Sequence, residues 1–179
     1  MIIGICGKSG SGKSTLTEKI IKRYNNTINL DIDKIGHQIT NKEEVKQLLI
    51  KKYGENILTN NNIDRKKLSQ IVFSKAKEMK KLTQITWPHM EKEIDKFLLN
   101  NKNKIVVLDW QLLPKTKFFK KCDIKILLDI PIKIRKERII KRDNITKEEF
   151  YLREKASVKY NKKSFDYIIK EKGILEINI

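Results

Sequence analysis

Cysteine, arginine, acidic side chains and long apolar runs are all scarce in this chain. Its 179 residues include two cysteines, Cys6 and Cys122, too few for a disulfide framework and not spaced as metal ligands. Both lie in or beside apolar stretches and read as small buried residues, so the compartment expected is the reducing cytoplasm. No segment has the apolar length needed to cross a bilayer. The opening MIIGICG has no basic stretch and no cleavage pattern, so no secretory signal is expected. No internal repeat or low-complexity linker divides the chain, and the length suits one domain, 1–179, with room for an inserted subdomain.

Asp and Glu number 22 against 40 Lys and Arg, a net charge of +18. Such an excess raises nucleic acid or a membrane as partner. The charge, however, is spread along the whole chain and is almost entirely lysine, which suits a solvated surface that attracts small anions. Nothing resembles an aromatic stacking platform of the RRM kind, so neither nucleic acid nor membrane is an expected partner. Arginine is confined to Arg23, Arg65, Arg135, Arg138, Arg142 and Arg153. Each is worth inspection, because the guanidinium fork suits bidentate phosphate contacts.

Apolar patterning supplies the elements. Strands are expected at Ile2–Cys6, Thr27–Leu30, Lys104–Asp109, Ile124–Asp129 and Asp166–Lys170, and ILEINI closes the chain. Helices are expected from Ser14 to Tyr24, from Lys34 to Lys52 with a break near Thr40 and Asn41, and from Arg65 to Asn100 with an interruption at Trp87-Pro88. Leu113–Lys121 reads as a loop or short helix, and Tyr53–Asn62 as an Asn-rich loop. Pro131 opens a helix to about Arg142, and Thr146 opens another with Glu149 placed for a capping box. Alternating strands and helices indicate an α/β fold on a central five-stranded parallel sheet. The stretch from about 45 to 100 has helices and no expected strand, so it reads as a helical insertion.

The strongest chemical signal is Gly7-Lys8-Ser9-Gly10-Ser11-Gly12-Lys13-Ser14, a full match to G-x-x-x-x-G-K-[ST]. It follows an expected strand and opens an expected helix, the context a phosphate-binding loop requires. Inward-turned amides and the helix N-terminus would cradle ATP phosphates, Thr15 included. Lys13 would reach the β- and γ-phosphates, and Ser14 would ligate Mg²⁺. The bland alternative is a glycine turn with an incidental Lys-Ser.

Other candidates surround it. Asp109, ending an apolar strand, is either a carboxylate near the metal and substrate or a cap for the next turn. Asp31 and Asp33 follow strand two, and on an extended chain both would point one way into the crevice outside the strand ends. They are either a catalytic pair or a helix cap. Arg135, Arg138 and Arg142 recur at helical spacing, as a cationic lid over transferring phosphate or as a solvated basic face.

Taken together, CGKSGSGKST, LDIDKIGHQI, NNIDRKKLSQIVF and the RIIKRD helix resemble the dephospho-CoA kinase family over almost the whole chain, in the same order. The resemblance implies a three-layer P-loop NTPase sandwich with a helical CoA-binding insertion (about 45–100) and a helical lid (about 131–158). It also implies phosphorylation of the ribose 3′-hydroxyl of dephospho-CoA by ATP. Asp33 matches the family's base, Lys13 and Ser14 its phosphate and magnesium residues, and Arg138 and Arg142 its lid arginines. Arg65 matches a basic residue of the CoA-binding region, and Trp87 falls in that same region. The chain departs from the family pattern at Lys8 (usually Gly), Trp87 before Pro88 (usually His), Gln111–Lys115, Ser157 (usually Gln) and Glu171 (usually Asn). A monomer acting on a small molecule is expected. Two rivals remain, separable by assay: a kinase for nucleosides or nucleotides, and a basic P-loop ATPase stimulated by nucleic acid.

Overall fold

An apolar run without polar alternation is stable as a strand only when both its faces are covered. The computed structural model, which describes residues 1–170 apart from the side chains of Ser74 and Ala76, places such runs at the centre of a sheet. The chain begins β1 (Ile2–Gly7), α1 (Lys13–Arg23) and β2 (Thr27–Asp31). It continues through α2 (Ile32–Thr40), α3 (Glu43–Tyr53), β3 (Leu58–Thr59), β4 (Asn62–Ile63), α4 (Arg65–Ser74) and α5 (Ala76–Asn100). The remainder is β5 (Ile105–Asp109), two short 3-10 helices, β6 (Ile124–Leu128), α6 (Ile132–Asp143), α7 (Lys147–Lys155), a further 3-10 turn (Lys162–Ser164) and β7 (Tyr167–Ile169). The final segment ILEINI and the departure at Glu171 lie outside the described residues.

Two compact units result: Met1–Asp31 with the chain from Asn101 onward, and Ile32–Asn100. The second begins at Ile32, earlier than the expected edge near 45. In the first unit the five strands run in the order β2-β5-β1-β6-β7, every pair parallel. Ile3, Ile5, Ile20, Val107, Ile126, Leu128 and Ile130 form its core, each contributing about 1.5–3 kcal/mol by leaving water. Cys6 and Cys122 are buried and free. Burial pushes both thiols up, Cys122 to about 12, so neither is a ready nucleophile or metal ligand.

The second unit buries Ile32, Ile39, Val45, Leu49, Ile57, Ile63, Leu68, Val72, Met90 and Ile94. The expected break is present: α2 ends at Thr40 and α3 starts at Glu43. Two expectations are corrected here. The stretch read as a strandless loop contains an antiparallel hairpin, β3 with β4. Its two-residue turn is Asn60-Asn61, both at positive φ (49° and 60°), which Asn tolerates and which matches the twist of paired strands. The long helical stretch is interrupted at Lys75, whose backbone is extended (φ −144°, ψ 130°), and not at Trp87-Pro88. Pro88 instead sits inside α5. Pro88 and Gln84, whose carbonyl loses its donor, are both exposed, so solvent can satisfy the freed group. Burial of Met90 and Ile94 further along the helix outweighs the proline cost of about 3 kcal/mol.

Candidate active site

Between the end of β1 and the start of α1 the chain makes the glycine loop. Gly12 caps α1 at φ 93°, ψ 24°, a left-handed conformation that side chains resist. Gly10 is also left-handed (φ 74°), and a Cβ there would lie 2.8 Å from the Arg135 carbonyl oxygen. The first turn of α1 carries no acidic residue, which leaves its amides and its positive dipole end open to an anion. Ser11 is buried, and its hydroxyl has no hydrogen-bond partner among the described residues. Such an orphan is costly until a ligand or water meets it.

Lys13 and Ser14 converge on one carboxylate. Ser14 Oγ donates to Asp109 Oδ2 at 3.4 Å, and Lys13 Nζ lies 4.0 Å from Asp109 Oδ1. Asp109 is only 9% exposed. It reaches this place because β5 pairs with β1, setting Asp109 level with Ile5, and with β2, setting it level with Asp31. Thr15 follows on α1 and is exposed. A hydroxyl and a carboxylate are the oxygen donors a Mg²⁺ ion accepts when phosphates and waters complete its shell. No cluster of three or more His, Cys, Asp or Glu forms a metal cage among the described residues.

The first half of the loop is held differently. Lys8 Nζ donates to Glu154 Oε1 at 2.6 Å. Arg135 NH1 and NH2 grip the same carboxylate at 2.8 and 2.9 Å, while its Nε donates to the Ile130 carbonyl at 2.9 Å and its NH1 to the Ser9 carbonyl at 3.4 Å. Arg138 NH1 donates to the Gly10 carbonyl at 3.1 Å. Burial pushes the Glu154 carboxyl up, but the hydrogen bonds from Arg135 and Lys8 outweigh it and hold the group below the usual carboxylate range. Beside this cluster a cleft of about 390 Å³ is lined by Leu128, Ile130, Tyr160, Lys8 and Arg135, among others.

The three arginines of α6 therefore do not form one uniform face. Arg135 is buried in structure-holding contacts, Arg138 touches the loop, and Arg142 is exposed and paired with Asp143 (2.6 Å), which also takes Arg153 (3.1 Å). The capping box is present: Thr146 Oγ1 accepts from the Glu149 amide at 3.2 Å, and Glu149 Oε2 accepts from the Thr146 amide at 2.9 Å. Gln111 and Ser157 have local roles. Gln111 takes the Ser9 hydroxyl at 3.5 Å and, through its carbonyl, the Tyr160 hydroxyl at 3.0 Å. Ser157 donates to the Glu154 carbonyl at 2.6 Å.

The remaining candidates lie in the second unit. Asp33 is in the first turn of α2, where its charge suits the dipole. Because the chain turns helical at Ile32, the extended-chain argument that Asp31 and Asp33 point the same way does not apply. Arg65 is exposed at the start of α4, beside Asp64, whose side chain caps the helix through the Lys66 and Lys67 amides. Trp87 is half-buried in α5. Glu154 was missed by sequence reasoning. Its partner Lys8 is 146 residues away, and the only available hint was a lysine standing where glycine is usual.

A family model described as dephospho-CoA kinase matches residues 1–176. Among curated relatives, a dephospho-CoA kinase of Fusobacterium nucleatum is 34% identical, covering 98% of this chain and 92% of its own length. One from Aquifex aeolicus is 35% identical, covering 97% and 90%. A Thermus thermophilus crystal structure shares the fold at TM-score 0.79 and 23% identity, over 97% of this chain and 89% of that one.

Proposed function

We build on the finding that the chain belongs to the dephospho-CoA kinase family, and we propose the following division of labour for its ATP-dependent phosphoryl transfer. The observation that carries it is the meeting of Lys13 and Ser14 at the Asp109 carboxylate, beside a loop of positive-φ glycines.

ATP phosphates lie in the Gly7–Ser14 loop, with Lys13 against the β- and γ-groups. Ser14 Oγ and the Asp109 carboxylate would hold Mg²⁺, which would neutralise phosphate charge. The adenine is assigned to the cleft of about 390 Å³, where Leu128, Ile130 and Tyr160 offer apolar contact beside the charged Asp129 and Arg135. The acceptor is the ribose 3′-hydroxyl of dephospho-CoA, taken up by the helical unit that carries Arg65 and Trp87. The hydroxyl oxygen bonds to the γ-phosphorus as the bond from that phosphorus to the β–γ bridging oxygen breaks. The hydroxyl proton passes to Asp33, and ADP departs. Asp33 is assigned this role because, in the segment LDIDKIGHQI, it stands at the position of the family's base. Arg138 and Arg142 stabilise the charge in flight. The working unit proposed is the monomer. The cytoplasm is its working compartment. Among the described residues no helix is long and apolar enough to cross a membrane.

An ADP-release assay with dephospho-CoA, nucleosides and nucleoside monophosphates tests both acceptor and base. Dephospho-CoA is expected to be the preferred acceptor. Asp33→Asn is expected to lower kcat about 10²- to 10⁴-fold with the KM for ATP unchanged. Near-normal turnover by that variant would remove Asp33 from the mechanism, and preference for a nucleoside would reassign the acceptor.

A further inference from the structure

We propose that Glu154 is a positioning residue for ATP, setting the orientation of the first half of the glycine loop through Lys8 and Arg135 before nucleotide arrives. The inference rests on the reading of that loop as the ATP site.

One carboxylate bridges two cations from different parts of the chain. Lys8 Nζ reaches Oε1 at 2.6 Å, and Arg135 spans both oxygens at 2.8 and 2.9 Å. The Arg135 side chain is 5% exposed and that of Glu154 15%, so the geometry is confined by packing as well as by charge. A bidentate contact fixes the guanidinium plane. That plane directs NH1 toward the Ser9 carbonyl, at 3.4 Å, while Arg138 takes the Gly10 carbonyl at 3.1 Å. Because a trans peptide sets C=O and N–H in opposite directions, a Ser9 carbonyl held toward α6 turns the Gly10 amide away from α6. Glycines at 7, 10 and 12 leave the isolated loop with wide conformational freedom, and any ordering deferred until binding weakens binding. Glu154 orders the loop in advance.

Charge and positioning predict opposite signs for the same substitution. Glu154→Gln removes a negative charge beside a polyphosphate site, so electrostatics alone would tighten ATP binding. Loss of positioning weakens it. The full-length protein is titrated with ATP and Mg²⁺ by calorimetry, at a temperature where wild type and variants are folded by circular dichroism. KM for ATP and for dephospho-CoA are measured alongside. Expected is a Kd for ATP raised about tenfold in Glu154→Gln, with the KM for dephospho-CoA unchanged. Lys8→Met, which leaves the Arg135–Glu154 pair in place, is expected to weaken ATP binding less. The double variant should be no worse than Glu154→Gln alone, because the two act through one contact. Unchanged or tighter ATP binding by folded Glu154→Gln overturns the proposal, as does full additivity with Lys8→Met. A wild-type protein that failed to bind ATP would overturn the kinase reading itself and this inference with it, an outcome distinct from the others.

Discussion

Lys13 and Ser14 face Asp109, whose position follows from strand pairing: β5 lies against β1, and Asp109 is level with Ile5. Lys8, Ser9 and Gly10 face Glu154, Arg135 and Arg138, whose positions follow from α6 and α7. The two halves of one short loop thus depend on different parts of the fold. The second half is referenced to the central sheet, a buried parallel ladder that resists deformation. The first half is referenced to ion pairs and hydrogen bonds on two surface helices. Lys13 and Ser14, proposed to meet the phosphates and the metal, sit on the stiffer reference, and Lys8, Arg135 and Glu154, which shape the loop, sit on the softer one. Substitutions in the second half should therefore damage turnover with little loss of stability, and those in the first half the reverse.

The largest break in that contrast is Lys13→Ala, expected to lower kcat/KM about 10³-fold while moving the Tm by only a few degrees, as steady-state kinetics and thermal melts would report. A large drop in Tm would mean that the second half is structural after all. Next is the stability of Glu154→Gln. Breaking this part-buried pair from one side costs about 1–3 kcal/mol, measurable by denaturant titration at neutral pH. The Glu154 carboxyl is held below its ordinary range by Arg135 and Lys8 against the opposing effect of burial. A depressed native value means that this stabilisation is full above the unfolded-state pKa and is lost as pH falls through the lower native one. The stability gap between wild type and variant should accordingly close on acidification below the usual carboxylate range. A gap independent of pH would show that packing, not charge, holds α7 to the loop. The smallest effect sharpens the contrast. Thr146→Ala removes the cap of α7 and should cost about 1 kcal/mol, lowering the Tm slightly with ATP turnover near normal.

Legibility followed distance along the chain. The loop could be read because its working parts are contiguous, and α7 could be bounded because its capping box spans four residues. The α2–α3 break was likewise visible in local pattern. Pro88 inside α5 was not, since a local rule against proline yields when the residue is exposed and its neighbours on the helix bury Met90 and Ile94. The β3–β4 hairpin was hidden because each strand has two residues, too few to show alternation. The arginines of α6 share a helical spacing but not a fate. Arg135 is buried against Glu154, and Arg142 is left at the surface with Asp143.

By itself, then, the order of residues determined the parallel α/β sheet and the phosphate loop, because strand burial and left-handed glycines are dictated by neighbours within a few positions. Only the folded chain decided which carboxylate meets Lys13, which one grips Lys8 and which arginine is buried. Those pairings join residues 95, 96 and 146 positions apart or lie between separate helices, and charge alone does not choose among 22 acids and 40 bases. Packing makes that choice, by bringing two groups within bonding distance and excluding water from between them.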